Sequence, residues 1–201
     1  MIKSIALDLG GVLFTEGKGV ALAALSRDHG YDPAIVRKLL TCARSLDLRK
    51  GLLTEVAFWS WAEGQIPQGY SALVIRDAWY AAYTLDRDVL QLVEGLKGRF
   101  RLVAYSENIP DRIAYLEAKY RFRALFDMEV YSYDHHLGKG DPAFLEVLLT
   151  TLGDRPEEIL YIDDTKVFLD LAEQRGLKVL HYTTGRLKQI EPELRRLGVL
   201  A

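Results

Sequence analysis

The 201-residue chain has little of several features that mark specialised classes of protein. Cys42 is its only cysteine, so an intramolecular disulfide is excluded and a reducing compartment, the cytoplasm, is expected. The formal net charge of -2 gives no sign of a basic surface for nucleic acid or for an anionic membrane. No apolar run is long enough to span a bilayer, and the first residues carry no cleavage-site pattern, so we expect neither a membrane span nor a signal peptide.

Five short apolar runs predict the strands of a parallel sheet covered on both faces. Polar residues follow three of them directly, at the positions where the strands end. Between the runs lie helical patterns over residues 110–120, 143–152 and 165–175, of which the second opens at Asp141-Pro142 and the third ends at Gly176. The alternation predicts a doubly wound, Rossmann-like α/β fold that binds ligands at the rim of its strand ends. The predicted strands cover residues 5–7, 102–105, 128–131, 159–162 and 178–182.

The segment between the first and second predicted strands differs from the rest, because it contains no strand pattern. It reads as helices over residues 20–29, 33–46, 55–63 and 71–83, with start signals at Asp32-Pro33 and Thr54. We therefore predict a core made of residues 1–14 and 88–201 and an inserted α-helical cap made of residues 15–87. The cap would lie above the rim at which Asp8 emerges.

Acidic residues stand at two of the predicted strand ends. Asp8 precedes two glycines, which suits either a nucleophile in a close-approach loop or an ordinary strand-ending turn. Asp163 and Asp164 are adjacent, and like charges about 4 Å apart repel by roughly 4 kcal/mol at an effective dielectric of about 20. A divalent cation with oxygen ligands would relieve that repulsion, whereas a helix cap would account for only one of the two.

Two further residues complete the set. Ser106 ends the second predicted strand and suits a phosphate contact or an N-cap equally well. Lys139, between two glycines and before a helix, could reach an anion at the rim or remain a solvated loop lysine. Taken together, a nucleophile, a hydroxyl, a cation and an acidic pair are what phosphoryl transfer requires.

The order Asp8, Ser106, Lys139, Asp163-Asp164 resembles the four motifs of the haloacid dehalogenase (HAD)-like hydrolase superfamily. The first motif and the turn at residues 49–55 are similar to those of its small phosphatases with a helical cap, such as sugar-1-phosphate phosphatases. The resemblance implies a Mg2+-dependent phosphatase that acts on a small phosphorylated metabolite through an aspartyl-phosphate on Asp8. It also implies two sets of residues: Mg2+ ligands Asp8, Gly10 through its carbonyl, Asp164 and Asp163; and phosphate-binding residues Gly11, Ser106, Glu107 and Lys139.

Three residues depart from the pattern of that family. Gly10 stands where most of its phosphatases carry a second Asp, the general acid and base, although the resembling subgroup also has Gly there. Glu107 replaces an Asn after Ser106 and adds a negative charge, and Gly140 replaces a Pro after Lys139. These departures support an alternative, a non-catalytic or weakly active binding or regulatory protein on the same scaffold. A 2-haloacid dehalogenase is the third hypothesis, and the Asp163-Asp164 pair argues against it because those enzymes need no metal.

Overall fold

A computed structural model describes residues 1–200 and contains one five-stranded parallel sheet. The five strands agree with the five predicted runs to within one residue at each end. Their order across the sheet is β3-β2-β1-β4-β5, so β1 is central. The chain forms β2 and β3 on one side of β1, and after β3 it crosses over to form β4 and β5 on the other side. The strands are β1 Ser4–Leu7, β2 Arg101–Ser106, β3 Met128–Tyr131, β4 Ile159–Asp163 and β5 Lys178–His181.

The central strand is buried on both faces, as a doubly wound sheet requires. Because successive side chains of a strand point to opposite faces, Ile5 and Leu7 enter one buried cluster and Ala6 enters the other. The second cluster also includes Phe144 and Leu169, which come from two helices that follow β3 and β4. The sheet therefore has a hydrophobic core on each side, and this confirms the predicted α/β class.

Helices fill the segment between β1 and β2, and no strand occurs in residues 15–87, all of which the structure describes. Side-chain caps at Asp32, Thr54 and Ser71 satisfy free backbone N–H groups at the starts of three of these helices. The boundaries proposed for a core and a cap remain a prediction. The helices are α1 Gly17–His29, α2 Pro33–Thr41, α3 Ala43–Arg49, α4 Glu55–Glu63, α5 Ala72–Ala81 and α6 Arg87–Leu96.

The single helix predicted over residues 33–46 is wrong, because the chain breaks at Cys42. That residue has an extended backbone, with φ −69° and ψ 167°, and separates α2 from α3. Side chains close the break: the Cys42 thiol donates to the Leu39 carbonyl at 3.1 Å, and the Ser45 hydroxyl donates to the Leu40 carbonyl at 2.8 Å. These bonds satisfy carbonyls that a continuous helix would have used.

The remaining helices cover the sheet after β2, β3, β4 and β5. Those predicted over residues 110–120, 143–152 and 165–175 are present, whereas α6, α8 and α11 had not been predicted from the sequence. No helix in the described residues is both long and apolar enough to cross a membrane. The helices are α7 Pro110–Tyr120, α8 Ser132–His135, α9 Pro142–Leu152, α10 Lys166–Gln174 and α11 Leu187–Arg196.

Candidate active site

Three neighbouring strands deliver polar residues to one rim of the sheet. Asp8 follows β1, Ser106 ends β2 and Asp163 ends β4, and β1 pairs in parallel with both neighbours. The chain winds from β1 to β3 on one side of the sheet and then crosses over to β4 on the other side of β1. The switch point therefore lies between the neighbouring strands β1 and β4, and open α/β sheets bind ligands at such points. The topology therefore brings together residues that lie as much as 155 positions apart in the sequence.

One oxygen of Asp8 is held by three donors. Its Oδ1 accepts hydrogen bonds from the Leu9 amide at 2.7 Å and from the Ser106 hydroxyl at 2.8 Å. The Lys139 ammonium lies 2.9 Å from the same atom. Within residues 1–200, Oδ2 accepts no hydrogen bond. The carboxylate is thus fixed in orientation with one oxygen free.

Lys139 joins Asp8 to the acidic pair. Its side chain is 1% exposed, and its ammonium donates to Asp163 Oδ2 at 2.6 Å. Asp163 is itself fully buried and also accepts from the Tyr161 hydroxyl and, at 2.7 Å, from the Thr165 amide. Its oxygens are therefore well occupied, which leaves Asp164 as the more available member of the pair.

The three carboxylates lie close enough together to hold a metal ion. Asp8, Asp163 and Asp164 each offer one oxygen, and these atoms lie within 4.8 Å of one another. Lys139 is the one ammonium that contacts the group in the described residues, so two negative charges remain to be compensated. Hard oxygen donors with that excess charge suit a divalent cation such as Mg2+.

Burial makes the electrostatics of this cluster unusual. Burial, partly offset by the Lys139 ammonium, raises the pKa of Asp8 to about 7, and the charges of Asp163 and Asp164 add to the increase. Burial and then Asp163 raise the pKa of Asp164. Burial alone would lower the pKa of Lys139, but the two carboxylates that it contacts outweigh that effect and raise it. Without a metal, the carboxyl groups of Asp8 and Asp164 are therefore harder to ionise than in water, and Lys139 stays charged.

Two glycines after Asp8 make room for different neighbours. Gly11 has φ +81°, and a Cβ at this position would overlap the carboxylate of Asp164. Gly10 has no positive φ, and a Cβ there would lie 3.2 Å from Cε1 of Tyr83. Gly10 lines the candidate pocket, whereas Gly11 is buried and its carbonyl accepts from the Thr184 hydroxyl at 2.9 Å. The visible contribution of Gly11 is thus the space that it leaves for Asp164.

Asp8, Ser106, Lys139 and Asp164 open into one pocket of about 270 Å³ between the rim and the inserted helices. Glu107 lines the same pocket. It accepts from the Lys139 amide at 3.0 Å and lies 3.4 Å from the Arg49 guanidinium, so its charge is partly compensated. Gly138 leaves space for this carboxylate, since a Cβ there would lie 2.7 Å from Glu107 Oε2. Glu107 thereby links the Lys139 loop to α3.

Several pocket residues had not been identified as site residues from the sequence. Asn108 donates to the Ser106 hydroxyl at 3.3 Å and accepts from Arg112 Nε at 2.7 Å. Lys18 and Tyr83 line the pocket from the inserted segment. The asparagine and the arginine stand two and six residues after Ser106, a proximity that could have suggested them; nothing in the sequence singles out Lys18 or Tyr83.

Comparisons with known proteins agree with this fold. No known family profile matches the chain. An uncharacterised protein of Dictyostelium discoideum is 33% identical over 94% of each chain. A Porphyromonas gingivalis protein described as a predicted HAD-like family hydrolase has 22% identity and a TM-score of 0.82, with 100% of both chains covered.

Two further solved structures are similar to the chain. A HAD-family enzyme of Bacteroides thetaiotaomicron, in complex with magnesium and inorganic phosphate, has 21% identity and a TM-score of 0.79 over 92% of this chain and 96% of that one. The L-2-haloacid dehalogenase of Xanthobacter autotrophicus has 20% identity and a TM-score of 0.66 over 100% of this chain and 85% of that one. The sheet order and these likenesses together show that the chain has the fold of the HAD-like hydrolases.

Proposed function

We propose that the chain is a Mg2+-dependent phosphatase that acts on a small phosphate ester, with Asp8 as the nucleophile. The observation that carries this proposal is the continuous set of contacts from Ser106 to Asp8, from Asp8 to Lys139 and from Lys139 to Asp163, beside Asp164 in one pocket. The neighbour from Bacteroides thetaiotaomicron, which holds magnesium and phosphate, supports the choice of metal and of substrate class.

The residues suit displacement at phosphorus. Asp8 Oδ2, the free oxygen, would attack the phosphorus atom, form an aspartyl-phosphate and release the alcohol, which takes up a proton. Water would then cleave the acyl-phosphate at phosphorus and return free Asp8 and inorganic phosphate. Ser106 and Lys139 would donate hydrogen bonds to phosphate oxygens and orient the group for attack.

The donor set fits Mg2+. Asp8, Asp164 and the Gly10 carbonyl would hold the ion, with Asp163 further out because its oxygens are already bonded. The bound ion would supply charge compensation for the phosphate and the carboxylates. The protein itself holds three carboxylates at the rim, and the single Lys139 ammonium leaves two of their negative charges uncompensated.

Two positions that could supply a proton to the leaving group do not offer a free carboxyl group. Gly10 offers no carboxyl group, and Glu107 is occupied by the Lys139 amide and the Arg49 guanidinium. This feature favours a second candidate function, a phosphate-binding protein with little turnover. The dehalogenase reading is less well supported, since Asp164 adds a carboxylate that halide displacement does not require.

A screen of small phosphate esters with and without Mg2+ tests the proposal, with Asp8→Asn as the blank. We expect phosphate release that requires Mg2+ and is lost in Asp8→Asn. Binding of phosphate without turnover in the wild type would favour the second candidate. Phosphate release that survives Asp8→Asn would overturn the assignment of the nucleophile.

A further inference from the structure

A buried arginine without a counter-ion lines the wall of the pocket. Arg112 is 2% exposed, and its guanidinium lies over the rings of Trp79 and Tyr83 at 4.5 Å and 4.7 Å. Its Nε donates to Asn108, but its Nη1 is buried with no partner in the described residues, and no carboxylate there pairs with it. A buried cation without compensation is costly, so a ligand that supplies a negative charge here would bind favourably.

Two more cations line the same pocket from the inserted helices. Lys18 lies in the first turn of α1 and forms no ion pair within residues 1–200, and Arg49 ends α3 with Glu107 as its partner at 3.4 Å. Burial lowers the pKa of Lys18, and the charges of Arg49 and Arg112 lower it further against the opposing effect of Glu16. The three cations line one pocket and repel one another, and an anion between them would relieve that repulsion.

The phosphate that reacts already has other partners. Ser106 and Lys139 contact Asp8 directly, whereas Arg112 is separated from Asp8 by a chain of hydrogen bonds through Asn108 and Ser106. Apart from Lys139 and the acidic cluster, the pocket lining holds three cations, Lys18, Arg49 and Arg112, against two carboxylates, Glu16 and Glu107, so one positive charge is left in surplus. The three cations belong to α1, α3 and α7, whereas the acidic cluster belongs to the strand ends.

We infer that Lys18, Arg49 and Arg112 bind a second anionic group on the substrate, either a carboxylate or a second phosphate. This inference rests on the proposed function, in which Asp8 takes the transferred phosphate. The pocket volume of about 270 Å³ restricts the substrate to a small molecule. The aromatic residues Trp79, Tyr83 and Phe168, which line the same pocket, provide contacts for its short carbon frame.

Titration calorimetry with the Asp8→Asn protein in Mg2+ tests this inference without turnover. The probes share a two-carbon frame: 2-phosphoglycolate, ethylene glycol bisphosphate and 2-hydroxyethyl phosphate. We expect one or both of the doubly anionic probes to bind at least about tenfold more tightly than the hydroxyethyl ester, as charge-assisted hydrogen bonds allow. The tighter of the two identifies the second anion as a carboxylate or a phosphate.

Substitutions then assign the effect to the cations. Lys18→Met, in a half-buried helical position, should reduce the preference for the doubly anionic probe at least about threefold, and Arg112→Met should reduce it more. Lys38→Met is the matched control, because Lys38 belongs to the inserted helices but lines a different cavity. The Lys38→Met variant should prefer the doubly anionic probe over the hydroxyethyl ester as strongly as the Asp8→Asn protein does. If Arg112→Met fails to fold, Lys18→Met still decides the question.

The outcomes separate this inference from the proposed function. Equal affinity for the three probes, no binding of any, or a preference unchanged in Lys18→Met would overturn the second-anion site. Wild-type turnover of 2-hydroxyethyl phosphate that equals or exceeds that of the other two would overturn it too, while the phosphatase proposal stands. Preferential binding of a doubly anionic probe that the wild type does not hydrolyse would support the anion site and contradict the phosphatase proposal.

Discussion

Gly11 illustrates how a single residue without a side chain keeps the acidic cluster in place. It combines a positive φ with direct proximity to Asp164, so Gly11→Ala would strain the backbone and displace that carboxylate. The backbone strain alone is about 1–2 kcal/mol. We expect Gly11→Ala to lower the melting temperature and to reduce the stabilisation that Mg2+ gives, as measured by thermal denaturation with and without the ion.

Gly95→Ala is the matched control for that substitution. Gly95 lies inside α6 without a positive φ, and a Cβ there meets nothing within 4 Å. Alanine should therefore be neutral or stabilising, by up to about 1 kcal/mol, with the response to Mg2+ unchanged. Equal melting temperatures and equal Mg2+ responses in the two variants would contradict the account of Gly11.

Gly10 is the second residue whose lack of a side chain matters. If the absence of a general acid limits turnover, Gly10→Asp should raise turnover of an aryl phosphate, by up to about 10²-fold. Backbone strain does not oppose the change, but the ring of Tyr83 does, since it lies 3.2 Å from the new Cβ. We expect the double variant Gly10→Asp/Tyr83→Leu to gain more than the single variant in steady-state assays of phosphate release.

Folded Gly10→Asp variants that bind Mg2+ and show unchanged turnover would contradict that expectation. They would show that position 10 does not limit the chemistry. Tyr83 could not have been assigned to this place from the sequence, because it lies 73 positions from Gly10 and reaches it only in the folded chain. Asp8, Ser106, Lys139 and the acidic pair could be proposed because each directly follows a strand or precedes a helix.

At the scale of elements, Ser132 at the start of α8 connects the inserted helices to the core. Its hydroxyl donates to the Arg49 carbonyl at the end of α3 and accepts from the backbone N–H of Asn108 at 3.0 Å. Ser132→Ala would leave both groups without these bonds in a fully buried position, at a cost of about 1–3 kcal/mol for an unsatisfied group. Urea denaturation should show that loss.

Ser60→Ala provides the comparison, since Ser60 is exposed on α4 and should change the free energy of unfolding by at most about 0.5 kcal/mol. Ser132→Ala as stable as Ser60→Ala would show that this link contributes nothing to the fold. α8 had not been predicted, because a four-residue helix is too short to give a periodic pattern. The break between α2 and α3 was also missed, since it depends on the hydrogen bonds of Cys42 and Ser45 rather than on the apolar spacing.

For the whole molecule, the sheet was the most predictable part. The three inner strands, β1, β2 and β4, are short and nearly continuous apolar runs, and burial on both faces of a parallel sheet produces that pattern directly. The positive charge in the pocket was less predictable. Lys18, Arg49 and Arg112 come from three helices that meet only in the folded chain, and a lysine or arginine on a helix otherwise indicates a solvated face.

The Mg2+ dependence of thermal stability tests the central claim most directly, because it reports on the acidic cluster without a substrate. At a Mg2+ concentration about 100 times the dissociation constant, linkage gives about 2.7 kcal/mol, or about 5–10 °C for a chain of this size. Asp164→Asn should remove this shift and, by relieving repulsion, raise the melting temperature of the metal-free protein. The control Asp170→Asn, on the outer surface of α10, should respond like the wild type.

A wild-type melting temperature that rises with Mg2+, together with an Asp164→Asn variant that does not respond, is the result predicted here. No response in the wild type at millimolar Mg2+, or the same response in Asp164→Asn, would contradict the account of the rim as a metal-dependent active site.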